Sequence, residues 1–221
     1  MQATTTGTST LRPTLSSGGR ELLKWIALLA MTGDHVAKVV YGGYLPVVSE
    51  LGRIAFPLFA LVMACNLAQP GADLRKSISR LAAWGVIAQP LHALAFGYWL
   101  PLNILLTFAL AAVAVHALAS SRPLLLLLAA GMAPMLVDYQ WAGVGFVLLG
   151  WLAFRLRAWW LLLVGWAAVC WVNHNGWALL AIPVALAVAR VQWRLPRWRW
   201  AFYGYYVGHL ALLAVYVHLH G

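Results

Sequence analysis

The sequence predicts an all-α membrane protein, a polytopic bundle of about nine transmembrane helices. Three observations carry that expectation. Of 221 residues, 63% are hydrophobic and only 9% are charged, a balance outside the range of soluble domains. The apolar stretches are long and lack an alternation of period two, which argues against an outer-membrane barrel. The 15 lysines and arginines lie in short clusters between those stretches, as cytoplasmic loops do. The net charge of +10 therefore reports membrane orientation, and no nucleic-acid partner is expected. Two cysteines, Cys65 and Cys170, make no disulfide framework.

Residues 1–20, rich in Thr, Ser and Gly, are expected to be a disordered cytoplasmic tail without the features of a signal peptide. Residues 21–221 then form one transmembrane domain. The first span, 22–40, carries Asp34, His35 and Lys38 within five residues. Ionisable groups at membrane depth cost about 2.5–3.5 kcal/mol each, so this cluster is a functional candidate. Asp34 and Lys38 are four apart and share a helix face. The plainer reading is an ion pair that ends the helix near the interface.

The second span, 47–68, carries Arg53 and Pro57. Arg75, Lys76 and Arg80 introduce the third, 77–98, which holds Gln89, Pro90 and His92. Span four, 101–119, contains Asn103 and Thr107 and is followed by Arg122. Spans 123–137, 140–154, 158–173 and 175–190 are short. Fifteen residues reach only about 23 Å against a hydrocarbon core of about 30 Å. These spans extend into their loops, or one pair is a re-entrant hairpin. The last span, 200–219, contains His209 and the small-residue pattern Gly204-xxx-Gly208, a weak packing signal. Pro57, Pro90, Pro134 and Pro183 lie inside spans and are expected to kink them. Trp193, Trp198 and Trp200 among arginines read as an interfacial anchor.

Strict alternation of these spans places 13 of the 15 basic residues on one side. The positive-inside rule makes that side cytoplasmic, with the N-terminus cytoplasmic and the C-terminus periplasmic. The two exceptions are Lys38 and Arg53, both in outer halves of spans. Asp34 and Arg53 each lie about 9 Å below the outer surface at 1.5 Å per residue. An Asp34–Arg53 ion pair is therefore expected. His92 and Thr107 fall in the same layer, Asn103 nearer the surface, Asp138, Tyr139 and His174 in outer connections, and Gln89 and His209 deeper. Asn103 and Thr107 equally suit hydrogen bonds between helices, and His174 suits a turn.

Such a layer fits chemistry or ion-coupled transport. Asp34 with His35 or His209 makes a carboxylate–imidazole pair for general-base work. Lys38 and Arg53 suit a phosphate or a developing oxyanion. The histidines are too scattered for a metal site, and no metal is expected.

Several runs resemble a known family when taken together. Lys24, Asp34-His35 and the run Gly52-Arg53-Ile54-Ala55-Phe56-Pro57-Leu58-Phe59 are followed by Gln89-Pro90, Asn103 and Thr107, Asp138-Tyr139 with Gly143, and His209. In that order they resemble the TraX family of conjugative pilin-modifying membrane proteins, over roughly residues 22–215. The pattern looks most like the TrbP branch of IncP-type systems. It departs before the last histidine, where Val207-Gly208 stands in place of an expected proline. The resemblance implies a transferase of the bacterial inner membrane that acetylates pilin, with acetyl-CoA as donor. It implies Asp34, His35 and His209 as catalytic residues. Lys38, Arg53, Gln89, His92, Asn103, Thr107, Asp138 and Tyr139 then bind substrate or donor. Pilin, membrane lipids and other inner-membrane proteins of the conjugation system are the implied partners.

The predicted topology sits awkwardly with a cytoplasmic thioester, because no continuous polar path joins the inner loops to the outer layer. A membrane phospholipid yielding a headgroup such as glycerophosphate is the second expected donor, already in the outer leaflet. The rivals from other classes are an ion-coupled transporter and a non-catalytic pilus-assembly scaffold. Transport calls for polar residues in the inner half, and few are present.

Overall fold

The computed structural model describes residues 15–193 and 200–220. Among them all regular structure is helical, and each expected span coincides with a helical segment. Helix α1, Ser17–Val40, starts where the Ser16 hydroxyl accepts a hydrogen bond from the Gly19 N–H at 2.9 Å, the role of an N-cap serine. Residues 17–20 of the expected tail therefore belong to this helix. The remaining tail residues 1–14, the loop arginines Arg194, Arg197 and Arg199, and Trp198 lie outside the described residues.

The second span is two helices, α2 (Val48–Gly52) and α3 (Ala55–Leu67), joined by a turn at Arg53 and Ile54. Pro57 does not kink it. It sits in the first turn of α3, where a missing N–H has no helical partner to lose. Pro183 stands likewise near the start of α9, Ala181–Val188. Pro90 does lie inside a helix, α4 (Leu74–Phe96). Helix α5 is Ile104–Ala119. The fifth span is composite: α6 (Pro123–Leu127), a π turn (Leu128–Met132) and a 3-10 turn, Ala133–Leu136, that contains Pro134. Then come α7 (Gln140–Leu156), α8 (Trp160–Asn173), a 3-10 turn (Trp177–Leu180) leading into α9, and α10 (Ala201–His220).

Helices α1, α3, α7, α5, α4 and α10 touch in succession, and α10 returns to α1. Helix α8 packs on α7, and α9 on α1 and α3. The interior helix is α3, with ten of its 13 residues buried. The outward faces are apolar, with Val86, Leu94, Leu163, Leu186 and Leu212 each more than half exposed. Among the described residues two stretches are long and apolar enough to cross a membrane, Val48–Leu67 and Ala201–His220. Five further apolar helices are shorter, at 10–17 residues. A Cβ at Gly204 or Gly208 would meet no atom within 4 Å. That small-residue pattern therefore packs against nothing among the described residues.

Candidate active site

One end of the bundle, the polar end, gathers the last turns of α1, α4 and α8, the turn between α2 and α3 and the connection before α7. Between them lies a pocket of about 140 Å³. Six residues singled out by sequence line it: His35, Lys38, Arg53, His92, Asp138 and Tyr139. Phe96, Tyr98, Val172 and Asn173 complete the wall.

Backbone pairing places Asp138. The Leu102 N–H donates to the Leu136 carbonyl at 2.8 Å, and the Asp138 N–H donates to the Leu102 carbonyl at 2.9 Å. The Thr107 hydroxyl donates to the Asp138 carbonyl at 2.9 Å. Next in the chain, Tyr139 turns left-handed at φ 56° and its N–H donates to the Asp138 carboxyl at 2.9 Å. Helix α7 can come this close because residue 143 is glycine. A Cβ there would stand 2.9 Å from both Thr107 Cγ2 and Tyr139 Cβ. Burial pushes the Asp138 carboxyl above the ordinary carboxylate range, with the Lys38 ammonium pulling the other way.

Gln89, Asn103 and Thr107, expected to contact substrate, stand outside the pocket lining. Asn103 Nδ2 donates to the Gly85 carbonyl and to Gln89 Oε1, each at 2.8 Å. Gln89 Nε2 donates in turn to the Trp99 carbonyl at 2.9 Å. The Asn103 side chain also caps α5 by accepting from the Leu105 N–H at 3.1 Å. These amides lock α4 to α5, the interhelical role that was the alternative for Asn103.

The Asp34 carboxylate pairs with the Lys38 ammonium at 2.6 Å, one helical turn away. The expected Asp34–Arg53 pair does not form among the described residues, because the carboxylate is already engaged by the nearer cation. Arg53 instead faces the pocket beside Tyr139. Helix α2 touches α1 at Gly52, where a Cβ would stand 2.5 Å from Asp34 Cβ.

The histidines make the least expected contact. His35 Nδ1 lies 2.8 Å from His209 Nε2, and His209 Nδ1 lies 3.1 Å from the Tyr205 carbonyl. A carbonyl can only accept, so His209 Nδ1 carries a proton. In a neutral ring its Nε2 is then an acceptor, and His35 Nδ1 must be the donor. That leaves His35 Nε2 with a free lone pair, on a ring that lines the pocket. The hydrogen-bond partner of His35 is thus an imidazole, where the sequence suggested the Asp34 carboxylate. His92 is buried against Phe96 and Tyr98, its Nδ1 without a partner, and Asn173 Nδ2 is likewise unpaired.

Sequence reasoning passed over Tyr98 and Asn173. The turn Asn173-His174-Asn175-Gly176 was a signal, but the residue at the pocket is Asn173, whereas His174 is exposed and outside the lining.

Deeper in the bundle a second cavity, of about 260 Å³, lies between α1, α3, α4, α5 and α10. Its walls are apolar, with Leu28, Met31, Phe59 and Phe108 among them, and the cations Lys24 and Arg80 come from the end opposite the pocket. Aromatic rings divide the two spaces. Phe108 of the cavity stacks on Phe56 at 5.9 Å, and Phe56 stacks on Tyr139 of the pocket at 4.1 Å. On α10, His209 lies 5.3 Å from the ring of Tyr206, which lines the cavity.

The profile of the TraX protein family matches residues 19–217. A protein of Escherichia coli named Protein TraX is 40% identical over 97 residues, covering 44% of this chain and 39% of its own length. The protein of the same name from Escherichia coli strain K12 is 37% identical over 97 residues, with the same coverage of both chains. An uncharacterized protein of Rickettsia prowazekii is 33% identical over 88 residues, covering 40% of this chain and 33% of its own length. The chain thus spans about two-fifths or less of these relatives. No solved structure matches it.

Proposed function

Because the chain belongs to the TraX family, we propose that it is a multi-pass inner-membrane transferase that moves an acyl group, acetyl by family resemblance, onto conjugative pilin. The observation that carries this reading is the relay from the Tyr205 carbonyl through His209 to His35, which presents a bare Nε2 to a cation-lined pocket. An amine of pilin attacks there. Its nitrogen bonds to the acyl carbonyl carbon, and its proton passes to His35 Nε2. The bond from that carbon to the donor's leaving group breaks, and His35 returns the proton to the leaving group. While His35 is cationic, its Nδ1–H bond to His209 is charge-assisted and stronger, which stabilises the imidazolium. Arg53 and Lys38 stabilise the charge that builds on the carbonyl oxygen, and Asp34 keeps the Lys38 ammonium in position. A positioned base supplies about 10²–10⁴-fold in rate.

The membrane setting is supported by the apolar outward faces and by exposed tryptophans near helix ends, including Trp99, Trp171, Trp193 and Trp200. By the charge distribution the polar end faces the periplasm. Single-cysteine labelling in intact cells lacking Cys65 and Cys170 tests this: Gly43 reacts from outside and Gly71 does not. A phosphodiester donor yielding glycerophosphate is the second reading, favoured by Lys38, Arg53 and the unpaired Asn173 Nδ2 around one pocket. Membership of the TrbP branch is part of the same proposal.

Intact-mass analysis of pilin co-produced with the wild type or with His35→Ala decides between these. Pilin should gain one acetyl group only with the wild type. A glycerophosphate increment selects the second reading. An unmodified pilin with a folded wild-type protein leaves an assembly scaffold.

A further inference from the structure

We propose that the apolar cavity beneath the aromatic layer is the donor site, and that it takes a single-chain acyl thioester with a phosphate-bearing head from the end opposite the pilin pocket. This rests on the acyl-transfer reading above and specifies its donor.

Shape is the first argument. The cavity is walled by five helices and its volume is about 260 Å³, below the range of about 300–1,000 Å³ for sites that engulf drug-sized ligands. One narrow chain fits such a space, and the two chains of a diacyl lipid do not both fit within it. Charge is the second. At the cavity's far end stand Lys24 and Arg80. Lys24 is tied to Glu21 at 2.7 Å and lies 4.4 Å from the Phe202 ring. Arg80 lies beside the Tyr203 hydroxyl, and among the described residues no carboxylate pairs with it. An unpaired guanidinium at the mouth of an apolar slot is matched by phosphate oxygens.

Position is the third. On α1 the cavity wall runs Lys24, Leu28, Met31, about 10 Å of helix at 1.5 Å per residue, and His35 follows one turn later. A chain anchored at Lys24 and Arg80 therefore reaches the layer where Tyr206 touches His209 and Phe108 touches Phe56. There the acyl carbon meets the amine coming from the pocket side. The missing polar path from the far end is no obstacle, because the part that crosses the cavity is a chain, and the charged head stays behind.

The test uses the full chain in nanodiscs, with coenzyme A as a non-transferable probe and dihexanoyl phosphatidylglycerol as the lipid comparison, and affinity measured by calorimetry. Coenzyme A should bind saturably. Arg80→Gln should weaken it about tenfold or more, the range for losing a charge-assisted contact. Met63→Trp, which fills the cavity from a partly exposed position on α3, should abolish it. Arg53→Gln, in the pocket, should leave it unchanged. Size-exclusion profiles confirm that each variant is folded, and Lys24→Gln serves if Met63→Trp is not.

Equal binding by wild type, Arg80→Gln and the filled cavity overturns the proposal. So does loss only in Arg53→Gln, or binding of the lipid in place of coenzyme A. Pilin modified in liposomes free of thioester also overturns it while leaving group transfer intact. Cavity binding without any pilin modification sinks the transferase reading and leaves this site standing.

Discussion

The polar pocket and the apolar cavity share α1 and α4, yet they are made in opposite ways. The pocket is built where helices stop: Lys38 in the last turn of α1, Arg53 in the break between α2 and α3, Asp138 and Tyr139 before α7, and Asn173 at the end of α8. Most of the cavity wall comes from helix interiors, as in Lys24, Leu28 and Met31 of α1 or Phe59, Val62 and Met63 of α3. Polar side chains converge at ends because the ends also carry free backbone groups that anchor them. The difference teaches that, on the proposed function, chemistry and accommodation fall to different parts of the same helices.

Variants that strike one space and spare the other sharpen that division. His35→Ala should have the largest effect, about a 10²–10⁴-fold loss of pilin modification, with coenzyme A affinity unchanged by calorimetry. Arg53→Lys should lower the single-turnover rate about 10²-fold, because lysine keeps the charge and loses the planar fork.

Loss of His209 is a subtler test, since it acts through His35. His209→Ala should cost about ten- to hundredfold, the worth of a hydrogen bond to a group that becomes charged. His209→Gln should recover much of that, because an amide oxygen can still accept from His35 Nδ1. Rescue by Gln, read as a rate and a pH profile, separates positioning from packing. Gly52→Ala should cost about 1–3 kcal/mol of stability in a denaturation series, since the added methyl falls on Asp34 Cβ. His220→Ala should change neither rate nor stability; its ring is exposed, and its hydrogen bond among the described residues is to the Tyr216 carbonyl one turn back.

The pocket was the more legible of the two. Asp34, His35, Lys38 and Arg53 stand out against apolar neighbours, because a charge at that depth is conspicuous in one dimension. Their pairing was legible in part: helical spacing offered Lys38 to Asp34, and that pair forms, whereas the depth argument put Arg53 level with Asp34 and the expected Asp34–Arg53 pair does not. The link between His35 and His209 joins residues 174 positions apart, and no spacing rule reaches that far. Helix existence followed from apolar length. The internal breaks did not, since a span read as continuous hides the turn at Arg53 and the π and 3-10 turns of 128–136. Pro57 was read as a kink because a proline in an apolar run looks interior until the helix start is known. The cavity left no trace in the sequence, since it is a space between side chains that all look like ordinary core.

The stack of Tyr139, Phe56 and Phe108 has a consequence for the cell. In an energised bilayer, a water-filled passage through this bundle would short-circuit the proton gradient. On the proposed function, stacked rings between the two spaces would block hydrated ions, while the acyl carbon would have to cross only one ring's thickness to change carriers. Thinning that septum, as in Phe56→Ala, should therefore show itself as proton leakage into liposomes under an imposed potential, whether or not pilin is present.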